Sequence, residues 1–143
     1  MLDPHLNLPD RFNAAEFFVD RHRHEGRGEK VAIECGEREV IYHELVDKVN
    51  QTGNALRNQL GVRAEERVLL LLFDCPEFAF CFFGAIKIGA VPVPVSTLLK
   101  SPDYEFLLND SRARGVIVSE ALLPHVAAIA RECRSVSCKA SNS

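Results

Sequence analysis

The sequence predicts an α/β fold, in which an N-terminal β-hairpin and helices precede a β-α-β-α-β-α segment with a parallel sheet. Two observations carry this prediction. Residues 68–73 and 115–119 are apolar without alternation, as in strands that helices cover on both faces. Segments with helical periodicity lie between these runs. Strands that alternate with helices in this way imply a parallel sheet with right-handed crossovers.

The first predicted element is a helix that begins near Asn13. Asn13 has the side-chain acceptor of an N-cap, and Glu16 follows three residues later, which is the capping-box pattern. The helix is expected to reach about His24, because the glycines at positions 26 and 28 follow and end it.

A hairpin and a long helix come next. Residues 30–35 and 39–42 have strand character and are joined by a turn at Gly36, so they predict a β-hairpin. A helix is expected over residues 43–60 and ends at Gly61, since glycine is favoured just after a helix. Its apolar positions recur at three- and four-residue spacing, which gives one stripe for packing. The stripe consists of Leu45, Val49, Thr52, Leu56 and Leu60.

An almost wholly apolar helix is expected between the next two strands. Asp74 caps this helix in the prediction, and Glu77 completes a capping box three residues later. The helix covers residues 77–88 and is apolar nearly all round, which indicates burial. Pro92 and Pro94 then remove two ladder donors from the following strand. That strand is therefore expected to be short, at an edge, or bent into a loop.

The last predicted elements end near residue 130. Pro102 stands at the first position of the next helix. Residues 115–119 are a buried strand, and residues 120–131 are expected to form a final helix. Beyond it the sequence is rich in Ser and Cys and has no periodicity. Residues 131–143 are therefore expected to be a disordered or aberrant tail without a strand, which leaves 1–130 as the domain segment.

Composition narrows the function classes. The net charge of −3 disfavours nucleic-acid binding, which usually needs a basic surface. Charged residues interrupt the most apolar stretch, so it lacks the uncharged span of about 18 residues that a membrane crossing needs. The N-terminus lacks the apolar core of a secretory signal. The five cysteines contain no C-x-x-C pair, so we expect reduced thiols in a cytoplasmic protein and no metal site.

Several short motifs keep their order and spacing along the chain. They are Tyr42-His43-Glu44-Leu45, Asn50 with Asn54-Ala55-Leu56, the strand–Pro-Glu–helix turn, Gly84-Ala85-Ile86 with Gly89-Ala90-Val91, and Asn109-Asp110-Ser111. Together they resemble the N-terminal part of the AMP-forming acyl- and aryl-CoA ligases, which belong to the adenylate-forming superfamily. Within it the chain is most similar to benzoate–CoA and 4-hydroxybenzoate–CoA ligases. The resemblance covers about residues 12–129 and implies an incomplete part of the ligase N-terminal domain.

The resemblance implies a two-step reaction in the parent enzyme. ATP and an aromatic acid such as benzoate form an acyl-adenylate and pyrophosphate with magnesium, and the thiol of coenzyme A then displaces AMP. The family's phosphate loop, adenine and magnesium motif, ribose-binding Asp, hinge and catalytic Lys are absent from this sequence. The chain is therefore expected to be inactive alone and to bind none of these cofactors. No catalytic residue is assigned.

One loop is a candidate for contact with substrate or coenzyme A. Ser96, Thr97 and Lys100 follow the carboxyl end of a predicted strand, where ligand sites of α/β proteins cluster. A purely structural loop is the alternative interpretation.

Other motifs have structural interpretations. Gly26 and Gly28 follow a helix and precede a strand, whereas a dinucleotide-binding loop follows a strand and opens a helix. The basic cluster within residues 21–30 is expected to be a solvated face, with a phosphate contact as the alternative. Cys75 and Cys81 are expected to be inert buried thiols. The four phenylalanines of the apolar helix are expected in the core rather than around a ligand.

Three hypotheses of function remain open at this point. The chain is the N-terminal piece of a benzoate–CoA-ligase-like enzyme, a non-catalytic interaction module that complements a separate ligase chain, or a non-functional truncation product. The expected partners of the parent enzyme are small molecules (an aromatic carboxylate, ATP and coenzyme A), with neither nucleic acid nor membrane. An uncovered apolar flank of the sheet is expected to favour self-association.

Overall fold

The computed structural model describes residues 9–130 and the backbone of residues 133–136. It contains four helices, one short 3₁₀ helix and six strands in this described part. The helices are α1 (π-helical over Glu16–Asp20 and α-helical over Arg21–His24), α2 (Tyr42–Gln59), α3 (Pro76–Lys87), α4 (Ser101–Ser111) and the 3₁₀ helix Glu120–His125. The strands are β1 (Val31–Cys35), β2 (Arg38–Ile41), β3 (Arg67–Leu71), β4 (Val91–Pro94), β5 (Gly115–Ser119) and β6 (Cys133–Val136).

The parallel sheet lies between two layers of helices. Its strand order is β4-β3-β5-β6, and each neighbouring pair is parallel. Val68 and Leu70 of β3 pack against α2 and α3, whereas Leu69 and Leu71 pack with α4 through Tyr104. All of these side chains are buried, which explains why the sequence of β3 shows no alternation.

The N-terminal hairpin forms a second, smaller core with α1, α2 and one side of α3. β1 and β2 are antiparallel, and their apolar side chains pack with Val19 and Phe80. Two polar contacts fasten α1 to the last turn of α3. Asn13 Nδ2 donates to the carbonyl of Ile86 at 3.0 Å, and Lys87 Nζ lies 2.7 Å from Asp20 Oδ2. The N-terminal unit and the sheet therefore share α3.

Two glycines allow α2 and α3 to pack closely. A Cβ atom added to Gly84 would lie 2.9 Å from Thr52 Cβ, and one added to Gly53 would lie 3.1 Å from the Gly84 carbonyl oxygen. Ordinary van der Waals contact begins near 3.4 Å, so neither position has room for a side chain without movement.

The structure confirms most of the predicted elements. The hairpin and α2 agree with the expected bounds to within one or two residues. Ala14 and Ala15 are already helical, and Asn13 before them acts as an N-cap, because its Oδ1 accepts the backbone N–H of Ala15 at 2.9 Å. Gly61 follows α2 with a φ of 63°, in the left-handed region that glycine tolerates. β4 has four residues and lies at the edge of the described sheet, as its prolines predict.

Two of the predicted helix starts were wrong in detail. Asp74 does not cap α3. Cys75 occupies the N-cap position, with no side-chain hydrogen bond to the helix. Proline is second rather than first in α4, because that helix begins at Ser101. The start of α4 is stabilised by the carboxylate of Asp103, whose Oδ2 accepts the backbone N–H of Lys100 at 3.0 Å.

The prediction of a final helix over residues 120–131 was wrong. Among the described residues 120–130, only the 3₁₀ helix Glu120–His125 forms, and Pro124 lies inside it. Proline has no N–H to donate and its ring clashes with the preceding turn of an α-helix, so it destabilises a long α-helix through this position.

The prediction of a tail without a strand was wrong for four residues. Cys133–Val136 form β6, which pairs with β5 in parallel. The rest of the predicted tail (residues 131, 132 and 137–143) lies outside the described residues. The prediction of five reduced thiols was also wrong, because Cys75 is disulfide-bonded, whereas Cys35 and Cys81 are free.

Candidate functional site

The strand order places a crevice between the carboxyl ends of β3 and β5. From β3 the chain crosses through α3 to β4 on one side, and it then crosses through α4 to β5 on the opposite side of β3. The strand order therefore reverses between β3 and β5. In open α/β sheets this reversal leaves a gap beyond the carboxyl ends of the two strands, where ligands bind.

A cavity of about 320 Å³ lies at this crevice and is lined by Phe73, Ser119, Glu120 and Ala121. Ser119 ends β5 and is only 1 % exposed. Its Oγ accepts the backbone N–H of Phe73 at 3.0 Å, which connects the end of β5 to the segment after β3. The Phe73 side chain is 40 % exposed and Glu120 is exposed. The crevice therefore offers an aromatic surface and a carboxylate on a fixed backbone.

Sequence reasoning missed Ser119. The residue follows four residues of an apolar run, so it was treated only as the last position of a buried strand. The available signal was the hydroxyl itself, since a fully buried polar side chain needs a hydrogen-bond partner. That partner comes from a segment 46 residues away, which no local pattern shows.

The loop after β4 lies at the same carboxyl edge, with β3 between it and the crevice. Val95 N–H donates to the carbonyl of Leu70 at 3.0 Å, so pairing continues to the start of the loop. The buried Tyr104 then donates its hydroxyl to the Ser96 carbonyl at 3.0 Å. Ser96 Oγ accepts the backbone N–H of Leu98 at 3.2 Å and shapes the turn.

The three predicted site residues therefore share one anchored loop. Ser96 and Lys100 are exposed, and Thr97 is half-buried. The loop can present two hydroxyl groups and one ammonium group to a ligand. Such groups bind a single phosphate or carboxylate, since an ammonium is a compact charge with three donors.

The described residues do not fit a magnesium–ATP site. Among residues 9–130, no group of three or more His, Cys, Asp or Glu side chains is arranged to hold a metal ion. Lys100 is one cation, whereas a nucleoside triphosphate needs several backbone donors, a lysine and a metal. No reaction step through ATP or magnesium is therefore assigned to these residues.

The basic cluster is held by contacts within the protein. His22 stacks on Tyr42, with 4.1 Å between the ring centroids, and its Nδ1 accepts Arg27 Nε–H at 2.8 Å. Arg23 forms a 2.8 Å ion pair with Asp47 of α2. These contacts agree with a structural role for the cluster, because the side chains named here bind other groups of the protein rather than converging on a site for a phosphate.

The carboxylate of Glu77 binds the hairpin, because Arg38 Nη1 donates to its Oε1 at 2.7 Å. This hydrogen bond raises the pKa of Arg38.

Burial raises the pKa of the Cys81 thiol to about 12, so the thiol is protonated at neutral pH and is not a nucleophile. The phenylalanines of α3 lie in or against the two cores, as predicted.

No helix in the described part of the chain is both long enough and apolar enough to cross a membrane.

The model of the family of AMP-binding enzymes matches residues 20–142 of the chain. The chain is 42 % identical to the benzoate–CoA ligase of Thauera aromatica over 121 residues, which are 85 % of the chain and 23 % of that enzyme. It is 45 % identical over 113 residues to the 4-hydroxybenzoate–CoA/benzoate–CoA ligase of Rhodopseudomonas palustris, and covers 21 % of it. The chain thus spans less than a quarter of the length of these relatives.

Solved structures give the same assignment. One is the structure of an anthranilate–CoA ligase in complex with anthranoyl-AMP, whose sequence is 41 % identical to this chain. The two structures superpose with a TM-score of 0.79, and the match covers 85 % of this chain and 23 % of the ligase. A benzoate–CoA ligase from Burkholderia xenovorans is 34 % identical, with a TM-score of 0.80 over 90 % of this chain and 26 % of that one. The fold is therefore the N-terminal part of an adenylate-forming ligase, and the chain belongs to the family of AMP-binding enzymes.

Proposed function

We propose that this chain is the N-terminal portion of an ATP-dependent ligase that joins an aromatic acid to coenzyme A. The observation that carries the proposal is the 42 % identity with a benzoate–CoA ligase over 121 residues. The parent reaction would convert an aryl acid, ATP and coenzyme A into the aryl-CoA thioester, AMP and pyrophosphate.

We further propose that the described portion alone does not catalyse this reaction. It contributes a parallel sheet and its helices, and residues 9–130 contain no metal-binding cluster. The role that fits this portion is to position loops at the carboxyl edge of the sheet against the rest of the enzyme. Ser96, Thr97 and Lys100 are proposed to lie near the substrate or coenzyme A through this loop.

An assay on the purified chain tests the proposed lack of activity. Benzoate, ATP, magnesium and coenzyme A are incubated with the chain, and thioester and AMP are measured by chromatography. We expect no product above the background without protein. Thioester formation that depends on the chain would contradict this part of the proposal.

A chimera tests the ligase assignment itself. The matching 121-residue segment of the Thauera aromatica enzyme is replaced by the corresponding part of this chain. We expect a folded chimera that forms benzoyl-CoA, because the two segments are 42 % identical over 121 residues. A folded chimera without activity would count against the assignment.

The same chimera tests the loop. Lys100→Met removes the exposed ammonium group at the carboxyl edge, and we expect the KM for coenzyme A or benzoate to rise about tenfold with kcat little changed, as for the loss of one charge-assisted contact. Lys48→Met is the matched control, since Lys48 is exposed on α2. Equal kinetics of the two variants would make the loop purely structural.

A further inference from the structure

The outer edge of β4 has an unusual pattern of hydrogen-bonding groups. Val91 N–H donates to the carbonyl of Glu66 at 2.9 Å, and Val95 N–H donates to the carbonyl of Leu70 at 3.0 Å. Because backbone groups of a strand alternate in direction, the odd-numbered residues from Val91 to Val95 face β3. The even-numbered residues of the strand, Pro92 and Pro94, therefore face away from β3.

Both outward positions lack an N–H group. Proline has no backbone donor, so this edge presents only the carbonyls of Pro92 and Pro94. Ala90, the next even-numbered residue before the strand, also offers no free donor, because its N–H donates to the carbonyl of Ala85 at 3.0 Å. From residue 90 to residue 95 the outer edge therefore has no free backbone donor.

An added strand needs donors and acceptors in alternation from both partners. A strand placed beside β4 could donate to two carbonyls, but its own inward carbonyls would find no N–H and would lose their hydrogen bonds to water. Unpaired edge strands otherwise template pairing with another chain, and proline is one device that prevents it. At the other side of the sheet, β6 (Cys133–Val136) contains no proline.

We infer that β4, one of the two edges of the described sheet, is closed to strand addition by a second copy of this chain or by any other strand. The register supports this, since Val68 lies opposite Pro92 and Leu70 opposite Pro94 along the full length of β4. Pro94, an outward position of this edge, is exposed, so the described residues do not cover the edge there. Contacts at β4 are consequently made by side chains.

A double substitution tests the inference. Pro92→Val with Pro94→Val restores two outward N–H groups and keeps the strand apolar. At equal concentration we expect a larger sedimentation coefficient that rises with concentration, together with amide protection of residues 92 and 94 that also rises with concentration. Pro102→Val is the matched control, because it removes a proline from α4, away from the sheet, and is expected to sediment as the unaltered chain does. A folded double variant that associates no more than the unaltered chain would overturn the inference.

A second experiment keeps both prolines and does not depend on folding of the double variant. Val91→Cys and Leu98→Cys place one thiol on β4 and one on the following loop, where Leu98 is 90 % exposed. After mild oxidation, the cross-linked peptides are identified by mass spectrometry. We expect intermolecular cross-links through Cys at 91 to form no faster than those at 98. Faster, concentration-dependent cross-linking at position 91 would show that β4 edges pair, and would overturn the inference without touching the ligase assignment.

Discussion

At the scale of single residues, the basic cluster within residues 21–30 shows how contacts inside the protein give basic side chains a structural role. His22 lies between Tyr42, on which it stacks, and Arg27, whose Nε–H it accepts. A protonated imidazole has no free acceptor at Nδ1, so the hydrogen bond requires the neutral form. Burial, with Arg27 and Arg21 nearby, lowers the pKa of His22 below its ordinary value of 6.5, and Glu25 opposes this effect.

This lowered pKa predicts a loss of stability in mild acid. The unfolded chain binds a proton at His22 more readily than the folded chain, so the free energy of unfolding falls as the pH drops through 6.5 and levels off below the folded pKa. His22→Phe keeps the aromatic stack and removes the titration, so the dependence on pH should become shallower. Urea unfolding at several pH values measures this, with His24→Phe on the exposed part of α1 as control. Equal pH dependence in both variants would contradict the prediction.

At the scale of elements, the crossing of α2 and α3 depends on the absence of two side chains. Gly53 and Gly84 face each other where the helices meet, and both added Cβ atoms would be closer than ordinary contact. Helix propensity alone favours alanine over glycine by about 1 kcal/mol. The packing argument and the propensity argument therefore predict opposite signs for the same substitution.

Gly84→Ala decides between these two effects. We expect a loss of about 1–3 kcal/mol in the free energy of unfolding, because overpacking a dense contact forces the backbone of Gly53 or the side chain of Thr52 to move. Urea unfolding monitored by circular dichroism measures the change. Gly26→Ala provides a contrast in which overpacking plays no part, because nothing lies within 4 Å of its added Cβ. Any loss of stability in that variant comes from backbone strain, since the φ of Gly26 is +74°. A Gly84→Ala variant that is more stable than the unaltered chain would show that the helices separate without cost.

The loop after β4 depends on α4 through Tyr104. Tyr104→Phe removes the 3.0 Å hydrogen bond to the Ser96 carbonyl and keeps the buried ring. We expect a loss of about 0.5–1.5 kcal/mol in the free energy of unfolding, because one intramolecular hydrogen bond is lost.

The same variant should make the loop more mobile. Amide exchange of residues 96–100 is expected to become faster, while exchange in α2 stays unchanged. Tyr42→Phe makes the same chemical change elsewhere in the chain and should leave exchange in the loop as it is. If the two variants exchange alike in this loop, Tyr104 does not anchor it.

At the scale of the whole molecule, the parts that local patterns predicted are those whose burial repeats along the chain. β3 and β5 are covered on both faces, and their sequences show it as unbroken apolar runs. The two wrong predictions have different causes, since β6 depends on a distant partner whereas Pro124 lies within the segment that was expected to be a helix. β6 forms because the buried β5 offers it a pairing edge, and the apolar spacing of residues 120–131 looks helical although Pro124 interrupts it.

The candidate site was predictable only in part, because one half of it also depends on partners that are distant in sequence. The loop with Lys100 follows a strand end, which sequence order reveals. The crevice at Ser119 arises from the reversal of strand order between β3 and β5, and that order is a property of the assembled sheet. The alternation of elements predicted a parallel sheet, but it could not predict which strands are neighbours.

The exposed apolar surface of the chain predicts self-association. Phe12, Phe17 and Phe18 form an aromatic cluster with centroids 5.5 Å and 5.1 Å apart, and each ring is at least 37 % exposed. We expect the purified chain to bind an apolar dye and to associate in light scattering. Phe18→Ser should weaken association about tenfold to a hundredfold, because burying one phenylalanine contributes about 1.5–3 kcal/mol. Phe106→Ser, at a 65 % exposed position on α4 outside the cluster, is the control. A monomer that binds no dye, or an equal effect of both substitutions, would show that the cluster does not drive association.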